Sequence, residues 1–136
     1  MIREKKKRLI VDLDNTITVT EHGDYVNSKA VQRTIDMLKK YKDEGFEIVV
    51  HSSRNMRTYE ANVGKINIHT LPNIINWLNN HDVPYDEVIV GKPWCGFDGF
   101  YIDDSSIRPS EFHNMTFEEI SEMIKKEKEY VKSLAL

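Results

Sequence analysis

The sequence has little cysteine, glycine or proline, and each shortage excludes a class of protein. A single cysteine, Cys95, occurs in 136 residues. The chain therefore has no internal disulfide framework and no zinc site built from several thiolates. The 6 glycines and 4 prolines are scattered, and no linker, internal repeat or low-complexity segment divides the chain. We expect one domain over residues 1–136, in a reducing compartment.

The sequence also lacks a strong charge imbalance and long apolar runs. The formal net charge of −3 at pH 7 argues against nucleic acid or an anionic membrane as the main partner. The basic run Lys5–Arg8 is interpreted as a solvated lead-in to the first strand. No stretch approaches the ~20 apolar residues of a membrane span, and no signal peptide is recognisable. These absences predict a cytoplasmic protein, and a hydrophobic content of 40% is enough for one core.

Short apolar runs and helical patterns alternate along the chain. The predicted strands are Leu9–Leu13, Phe46–Val50, Glu87–Val90 and Phe100–Asp103. The predicted helices cover residues 28–43, 71–80 and 116–134, the last beginning at a capping box. Continuous β-branched runs are typical of parallel strands that are covered on both faces. The sequence therefore predicts a doubly wound, Rossmann-like α/β fold with a mostly parallel sheet and helices on both faces.

Polar side chains follow each predicted strand at its carboxyl end. In chain order they are Asp12, Asp14, Thr16, Ser52, Arg54, Lys92, Asp103 and Asp104. Ligands of open α/β sheets bind beyond the carboxyl ends of the strands, so we expect these side chains to share one rim. The carboxylates would repel each other unless a cation lay among them, and hard oxygen ligands select Mg²⁺. A metal, an ammonium and a hydroxyl together suit the charged transition state of phosphoryl transfer.

The order of these residues resembles the motifs of the haloacid dehalogenase (HAD) superfamily of phosphohydrolases. The matches are Asp12-x-Asp14-x-Thr16, then Ser52 in a Ser-x-Arg form with Arg54, then Lys92, then Asp103-Asp104. The resemblance covers residues 8–110. A narrower one, to small HAD proteins of capsule and surface-polysaccharide loci, lies in residues 55–59, 91–96 and 108–109. It implies that the substrate is a sugar phosphate or a related small phosphorylated metabolite.

The resemblance also implies a role for each matched residue. Asp12 would be the nucleophile that forms an aspartyl-phosphate, and Asp14 would be the general acid and then the general base. The phosphate-binding set would be Ser52, Lys92 and Thr16, with Arg54 as a candidate substrate-binding residue. The Mg²⁺ ligands would be Asp12, Asp14 through its backbone carbonyl, and Asp103, with Asp104 as a further ligand or its support.

No segment is long enough for the cap domain that many HAD enzymes carry. The stretch between Asp14 and Ser52 is used by a predicted β-hairpin flap, Ile17–Val26, and by one helix and one strand. The stretch from Ser52 to Lys92 is used by a loop, a helix and a strand. We therefore expect a site that is open to water unless the flap, the loop at 55–67 or another subunit covers it, which leaves a homo-oligomer open.

Several other functions remain open on the sequence alone. Within the same fold, they are a phosphotransferase and a phosphatase that acts on nucleic-acid ends. From other classes, they are a receiver-like signalling domain and a catalytically silent binding domain. The motif order argues against a receiver, which would place its acidic pair after the first strand, whereas here the acidic pair comes last.

Overall fold

The structure is a computed structural model that describes residues 6–135. These residues form two compact units, one ending at Trp94 and the other beginning at Cys95. Lys5, the first residue of the basic run, lies outside the described residues. Lys6 and Arg8 pair with the carboxylate of Glu47 at 3.1 and 3.2 Å, so this part of the basic run is neutralised by the neighbouring strand.

A three-stranded parallel sheet forms the centre of the first unit. Its strands are β1 (Arg8–Asp12), β4 (Glu47–Ser52) and β5 (Glu87–Val90), in the order β1-β4-β5. All three strands were predicted from their apolar runs. The register places Asp12 opposite His51 and Ser52 opposite Val90. The carboxyl ends of all three strands therefore meet at one edge of the sheet.

The helices of the first unit and the central strand supply much of the apolar core. The helices are α1 (Gln32–Asp43), α2 (Val63–His69) and α3 (Leu71–Asn80). The fully buried apolar side chains of these helices and of β4 are Ile35, Leu38, Ile48, Val49, Val50, Ile66, Ile74 and Leu78. The helix predicted over 71–80 is confirmed, and α1 begins later than the predicted residue 28. Gly45, with φ +95°, adopts the left-handed conformation that ends a helix before the next strand.

The predicted flap Ile17–Val26 forms in a different register. Strand β2 (Thr18–Val19) pairs antiparallel with β3 (Lys29–Ala30), and the chain between them contains a 3₁₀ turn at Tyr25–Asn27. The prediction placed the return strand too early. The Asp24 side chain accepts the Asn27 N–H at 3.4 Å, and such local bonds compete with strand pairing.

The loop predicted at 55–67 is partly helical. Asn62 caps α2 by accepting the Lys65 N–H at 3.1 Å, which satisfies one of the unpaired donors of the first turn. Thr70 directly precedes α3, but its hydroxyl donates to Asn55 Oδ1 at 2.7 Å instead of capping the helix. The result is a second short helix directly before α3.

The second unit contains two helices, α4 (Pro109–Asn114) and α5 (Phe117–Leu134). The predicted capping box is confirmed, because Thr116 Oγ1 accepts the Glu119 N–H at 3.1 Å and Glu119 accepts the Thr116 N–H at 2.9 Å. Helix α4 was not predicted.

The predicted strand Phe100–Asp103 is wrong: these residues form neither strand nor helix. Phe100 and Ile102 are 76% and 89% exposed. Aromatic and β-branched residues fit a strand only where a ladder partner and a packed face are available. Here the Asp103 carboxylate instead accepts the Ser105 N–H at 2.9 Å, a local turn that competes with extension.

Taken over residues 6–135, the structure is a mixed α/β arrangement with a three-stranded parallel sheet and five α-helices. None of the helices in this part of the chain is both long enough and apolar enough to cross a membrane.

Candidate active site

The first two candidate residues are placed by the tight turn that follows β1. Asp12 ends the strand, and the buried Leu13 carbonyl then accepts the N–H groups of Ile17 and Thr18 at 2.8 and 3.0 Å. Asn15 adopts φ +63°, a left-handed conformation that asparagine tolerates better than most residues. The turn is therefore fixed by its backbone, and Leu13 anchors it in the core between Asp12 and Asp14.

Asp12 is held loosely. Its Oδ1 accepts from Lys92 Nζ at 3.3 Å and its Oδ2 from Thr16 Oγ1 at 3.4 Å. Both contacts are longer than usual for charge-assisted or hydroxyl hydrogen bonds. The Asp12 side chain is 35% exposed, so its carboxylate remains accessible from solvent while an ammonium lies beside it.

Asp14 is held tightly, in contrast. Arg54 donates to Asp14 Oδ1 at 2.7 Å through Nη2 and to Oδ2 at 3.1 Å through Nε. Thr18 Oγ1 adds a third contact to Oδ1 at 3.1 Å. The Arg54 side chain is only 3% exposed, and the Tyr25 ring lies with its centroid 4.2 Å from Arg54 Cζ. The paired donors of the guanidinium therefore fix the plane of the Asp14 carboxylate.

Ser52 connects Arg54 and Lys92 through hydrogen bonds. It ends β4 and is 1% exposed. Its Oγ accepts the Arg54 N–H at 3.0 Å, and its carbonyl accepts the Lys92 N–H at 3.1 Å. These bonds bring Ser52, Arg54 and Lys92 to the same edge of the sheet as the turn after β1. Because Ser52 Oγ accepts the hydrogen bond from the Arg54 N–H, the hydroxyl proton of Ser52 can be donated to a ligand.

His51 lies beside this cluster. It is opposite Asp12 in β1 and Ile89 in β5. Burial and the Lys92 ammonium hold the pKa of His51 below its ordinary value, and Asp12 opposes them in part. A lowered pKa means that the imidazole is mainly neutral at neutral pH.

Asp103 and Asp104 belong to the second unit. The backbone N–H of Ser105 and a hydrogen bond with Asp104 hold the pKa of Asp103 below its ordinary value. Asp104 lies 3.8 Å from Lys128 Nζ. Over residues 6–135 the structure gathers no group of three or more His, Cys, Asp or Glu side chains that could hold a metal ion. Of the four predicted ligands, Asp12 and Asp14 lie in the first unit, at the edge of the sheet.

The donors at this edge nevertheless fit Mg²⁺. The ion prefers hard oxygen ligands and commonly uses one or two carboxylates, with water and substrate phosphate completing the shell. The Asp12 carboxylate has only long contacts and is partly exposed, so it can accept a cation. The Asp14 carboxylate already has three donors, which leaves the backbone carbonyl as the oxygen that Asp14 would contribute.

Two residues of this cluster were missed by the sequence reasoning. Thr18 contacts the Asp14 carboxylate, and Tyr25 covers the guanidinium of Arg54. Thr18 lies two positions beyond the matched first motif, so its position in the turn after β1 was a usable signal. Tyr25 offered no signal, because its contact with Arg54 depends on how the chain between β2 and β3 turns.

The comparisons with known proteins give one extensive match. A crystal structure of a target protein from Vibrio cholerae shares 60% sequence identity and superposes with a TM-score of 0.87, over 89% of this chain and 98% of that one. The Pnkp1/Rnl/Hen1 complex and the Pnkp1/Rnl/Hen1 RNA repair complex match at 19% and 18% identity, with TM-scores of 0.46 and 0.45. Each covers 62% of this chain, which spans 27% and 25% of those chains. No protein-family model and no curated protein matches.

Proposed function

We propose that the chain, which belongs to the same protein family as the Vibrio cholerae protein, is a Mg²⁺-dependent phosphatase. It would hydrolyse the phosphomonoester of a sugar or a related small metabolite through an aspartyl-phosphate. The observation that carries this proposal is the contrast between two aspartates. Asp12 is accessible beside an ammonium, whereas Asp14 is held by three donors.

In the first half-reaction, an Asp12 carboxylate oxygen attacks phosphorus. The new bond joins Asp12 to phosphorus, the bond between phosphorus and the substrate oxygen breaks, and its electron pair leaves with that oxygen. The Asp14 carboxyl group gives its proton to an alcohol leaving group. Lys92 and Ser52 would bind the phosphoryl oxygens, with an ammonium and a hydroxyl as donors.

In the second half-reaction, water attacks the phosphorus of the aspartyl-phosphate. The Asp14 carboxylate takes a proton from this water, the bond from phosphorus to Asp12 breaks, and its electron pair returns to the Asp12 carboxylate. Inorganic phosphate leaves, and both aspartates have regained their starting forms, because the proton that Asp14 takes from water replaces the one that it gave to the leaving group.

Mg²⁺, when bound, would supply positive charge for the transferring phosphoryl group. Asp12 and the Asp14 carbonyl would hold it, and the family resemblance assigns Asp103 and Asp104 as further ligands. The finer fold assignment, a doubly wound HAD-like sheet without a cap domain, belongs to the same proposal, as does a cytoplasmic location suggested by the single cysteine.

The test is hydrolysis of p-nitrophenyl phosphate by the purified protein with Mg²⁺, with and without EDTA. Asp12→Asn should abolish turnover, because an amide does not form the acyl phosphate. Asp43→Asn, on the exposed face of α1, is the matched control and should keep the wild-type rate. Turnover by Asp12→Asn near the wild-type rate would overturn the covalent mechanism. A wild-type protein inactive on aryl phosphates and on a sugar-phosphate panel would overturn the phosphatase proposal.

A further inference from the structure

The segment between β2 and β3 reaches the candidate acid–base residue through one buried arginine. The Tyr25 ring covers the guanidinium of Arg54 at 4.2 Å, and the edge of the same guanidinium donates two hydrogen bonds to Asp14. The Arg54 side chain is 3% exposed. A continuous set of contacts therefore joins Tyr25 to Asp14.

Both ends of this segment are fixed. The hydroxyls of Thr20 and Ser28 are 2.6 Å apart, which closes the loop across its base. Trp77, on α3, donates through Nε1 to the buried Ser28 carbonyl at 3.0 Å. Tyr25 is thus presented to Arg54 by a loop that is attached to the core, so its contact with the guanidinium is built into the fold.

The chemistry of this contact fixes the orientation of the Asp14 carboxylate. A guanidinium only donates hydrogen bonds, so both Asp14 oxygens act as acceptors. An oriented carboxylate is what a general base needs in order to take a proton from water. A cation over an aromatic face is attracted to it, most strongly away from solvent, and the Tyr25 ring thereby holds the plane of the Arg54 guanidinium.

We propose that Arg54 and Tyr25 are positioning residues that hold Asp14 for hydrolysis of the phosphoenzyme. The inference rests on the proposed function, since it concerns the second half-reaction alone. In that step the water oxygen bonds to phosphorus, the bond from phosphorus to Asp12 breaks, and Asp14 receives the water proton. In this role Arg54 acts through its two hydrogen bonds to Asp14, and Tyr25 acts through Arg54.

The experiment separates the two half-reactions with p-nitrophenyl phosphate. Nitrophenolate is a good leaving group that departs without protonation, so formation of the phosphoenzyme does not need a positioned proton donor. Rapid-mixing kinetics of Tyr25→Leu and Arg54→Lys should show a burst of about one nitrophenolate per protein molecule, followed by slow turnover. We expect kcat to fall roughly ten- to a hundredfold, within the range that a positioned proton-transfer group supplies. KM should fall with it, and kcat/KM should stay close to wild type.

Two further variants serve as controls. Tyr25→Phe keeps the ring face and should restore most of the turnover that Tyr25→Leu loses. Tyr85→Leu removes another half-buried tyrosine, one that precedes β5 at the opposite edge of the sheet and donates to Asn79. It should give wild-type kinetics without a new burst.

Each other result would overturn the inference. Equal losses of kcat and kcat/KM without a burst would indicate a structural role, and unchanged kinetics would indicate none. Failure of the proposed function has a different signature. In that case the wild-type protein would give no acid-stable, hydroxylamine-sensitive phosphoenzyme under any condition, and Asp12→Asn would behave as the wild type does.

Discussion

Alanine substitutions at Asp12 and Asp14 should differ sharply in their effect on stability, although only one residue separates the two sites. Asp14→Ala removes the carboxylate from a guanidinium that is 3% exposed. Leaving a buried charge unpaired costs about 3–5 kcal/mol. Because Asp14 itself is 30% exposed, water can enter the vacated space, so we expect the low end, about 3 kcal/mol.

Asp12→Ala removes a weaker interaction. Its contact with Lys92 is 3.3 Å long, and the Asp12 side chain is 35% exposed, so solvent screens the pair. Exposed ion pairs contribute about 0–1 kcal/mol. The free energy of unfolding should therefore change by less than about 1 kcal/mol.

Urea unfolding followed by far-ultraviolet circular dichroism measures both effects. With a slope near 2 kcal/mol per molar, typical of small proteins, Asp14→Ala should lower the midpoint by about 1.5 M and Asp12→Ala by less than about 0.5 M. Asp14→Asn keeps one acceptor for Arg54 and should fall between them. The reasoning would be refuted if the midpoints of Asp12→Ala and Asp14→Ala agreed within error. The burial of Arg54 would then make no difference to the free energy of unfolding.

Three further predictions concern stability. Trp77→Phe leaves the buried Ser28 carbonyl without its donor and should lower the free energy of unfolding by about 1–3 kcal/mol, measured by urea titration. Asp86→Asn should destabilise the protein at pH 7 but not at acidic pH. The hydrogen bond from Lys42 lowers the pKa of Asp86 in the folded state. The carboxylate therefore stabilises the fold above its unfolded-state pKa, and this stabilisation is lost as the pH falls through the folded-state pKa. Equal effects of the substitution at both pH values would contradict this. Thr116→Ala removes the cap of α5 and should cost about 1 kcal/mol, read as lower helicity on heating, whereas Thr116→Ser should not.

Sequence patterns predicted correctly the strands and the helix start that depend on residues close together in the chain. The β-branched runs of β1, β4 and β5 and the capping box at Thr116 are readable in short windows, and the structure contains all four. Phe100–Asp103 is also rich in residues that favour strands, but a strand needs a partner strand as well, and a short stretch of sequence does not show whether one is available. The turn between β2 and β3 was misplaced for a similar reason, since the Asp24 bond competes with strand pairing.

In the candidate site, too, the positions set by the strands were predicted, whereas a contact between two distant turns was not. The sequence predicted that Asp12, Asp14, Ser52 and Lys92 lie at one edge of the sheet, because each lies at or just beyond the end of a strand and the parallel register brings those ends together. It did not identify the partner of Arg54, which lies 40 positions away in the chain. The pairing of Arg54 with Asp14 depends on how two turns are oriented in the folded sheet, and the spacing of residues in the sequence does not predict it.

The structure gives the two aspartates different environments, and these match the different demands that the two half-reactions of the proposed mechanism would make. A nucleophile must approach phosphorus, which requires access and freedom, and Asp12 has long contacts and solvent on one side. A base must meet one water in one direction, which requires orientation, and Asp14 is held by the fork of Arg54 and by Thr18. The buried Leu13 between them explains how one turn produces both environments. Its side chain anchors the backbone in the core, and the turn that follows directs Asp14 toward Arg54 while Asp12 stays on the strand beside Lys92. A substitution that loosens this anchor, such as Leu13→Ala, should therefore impair both half-reactions, unlike Arg54→Lys, which should impair only the second.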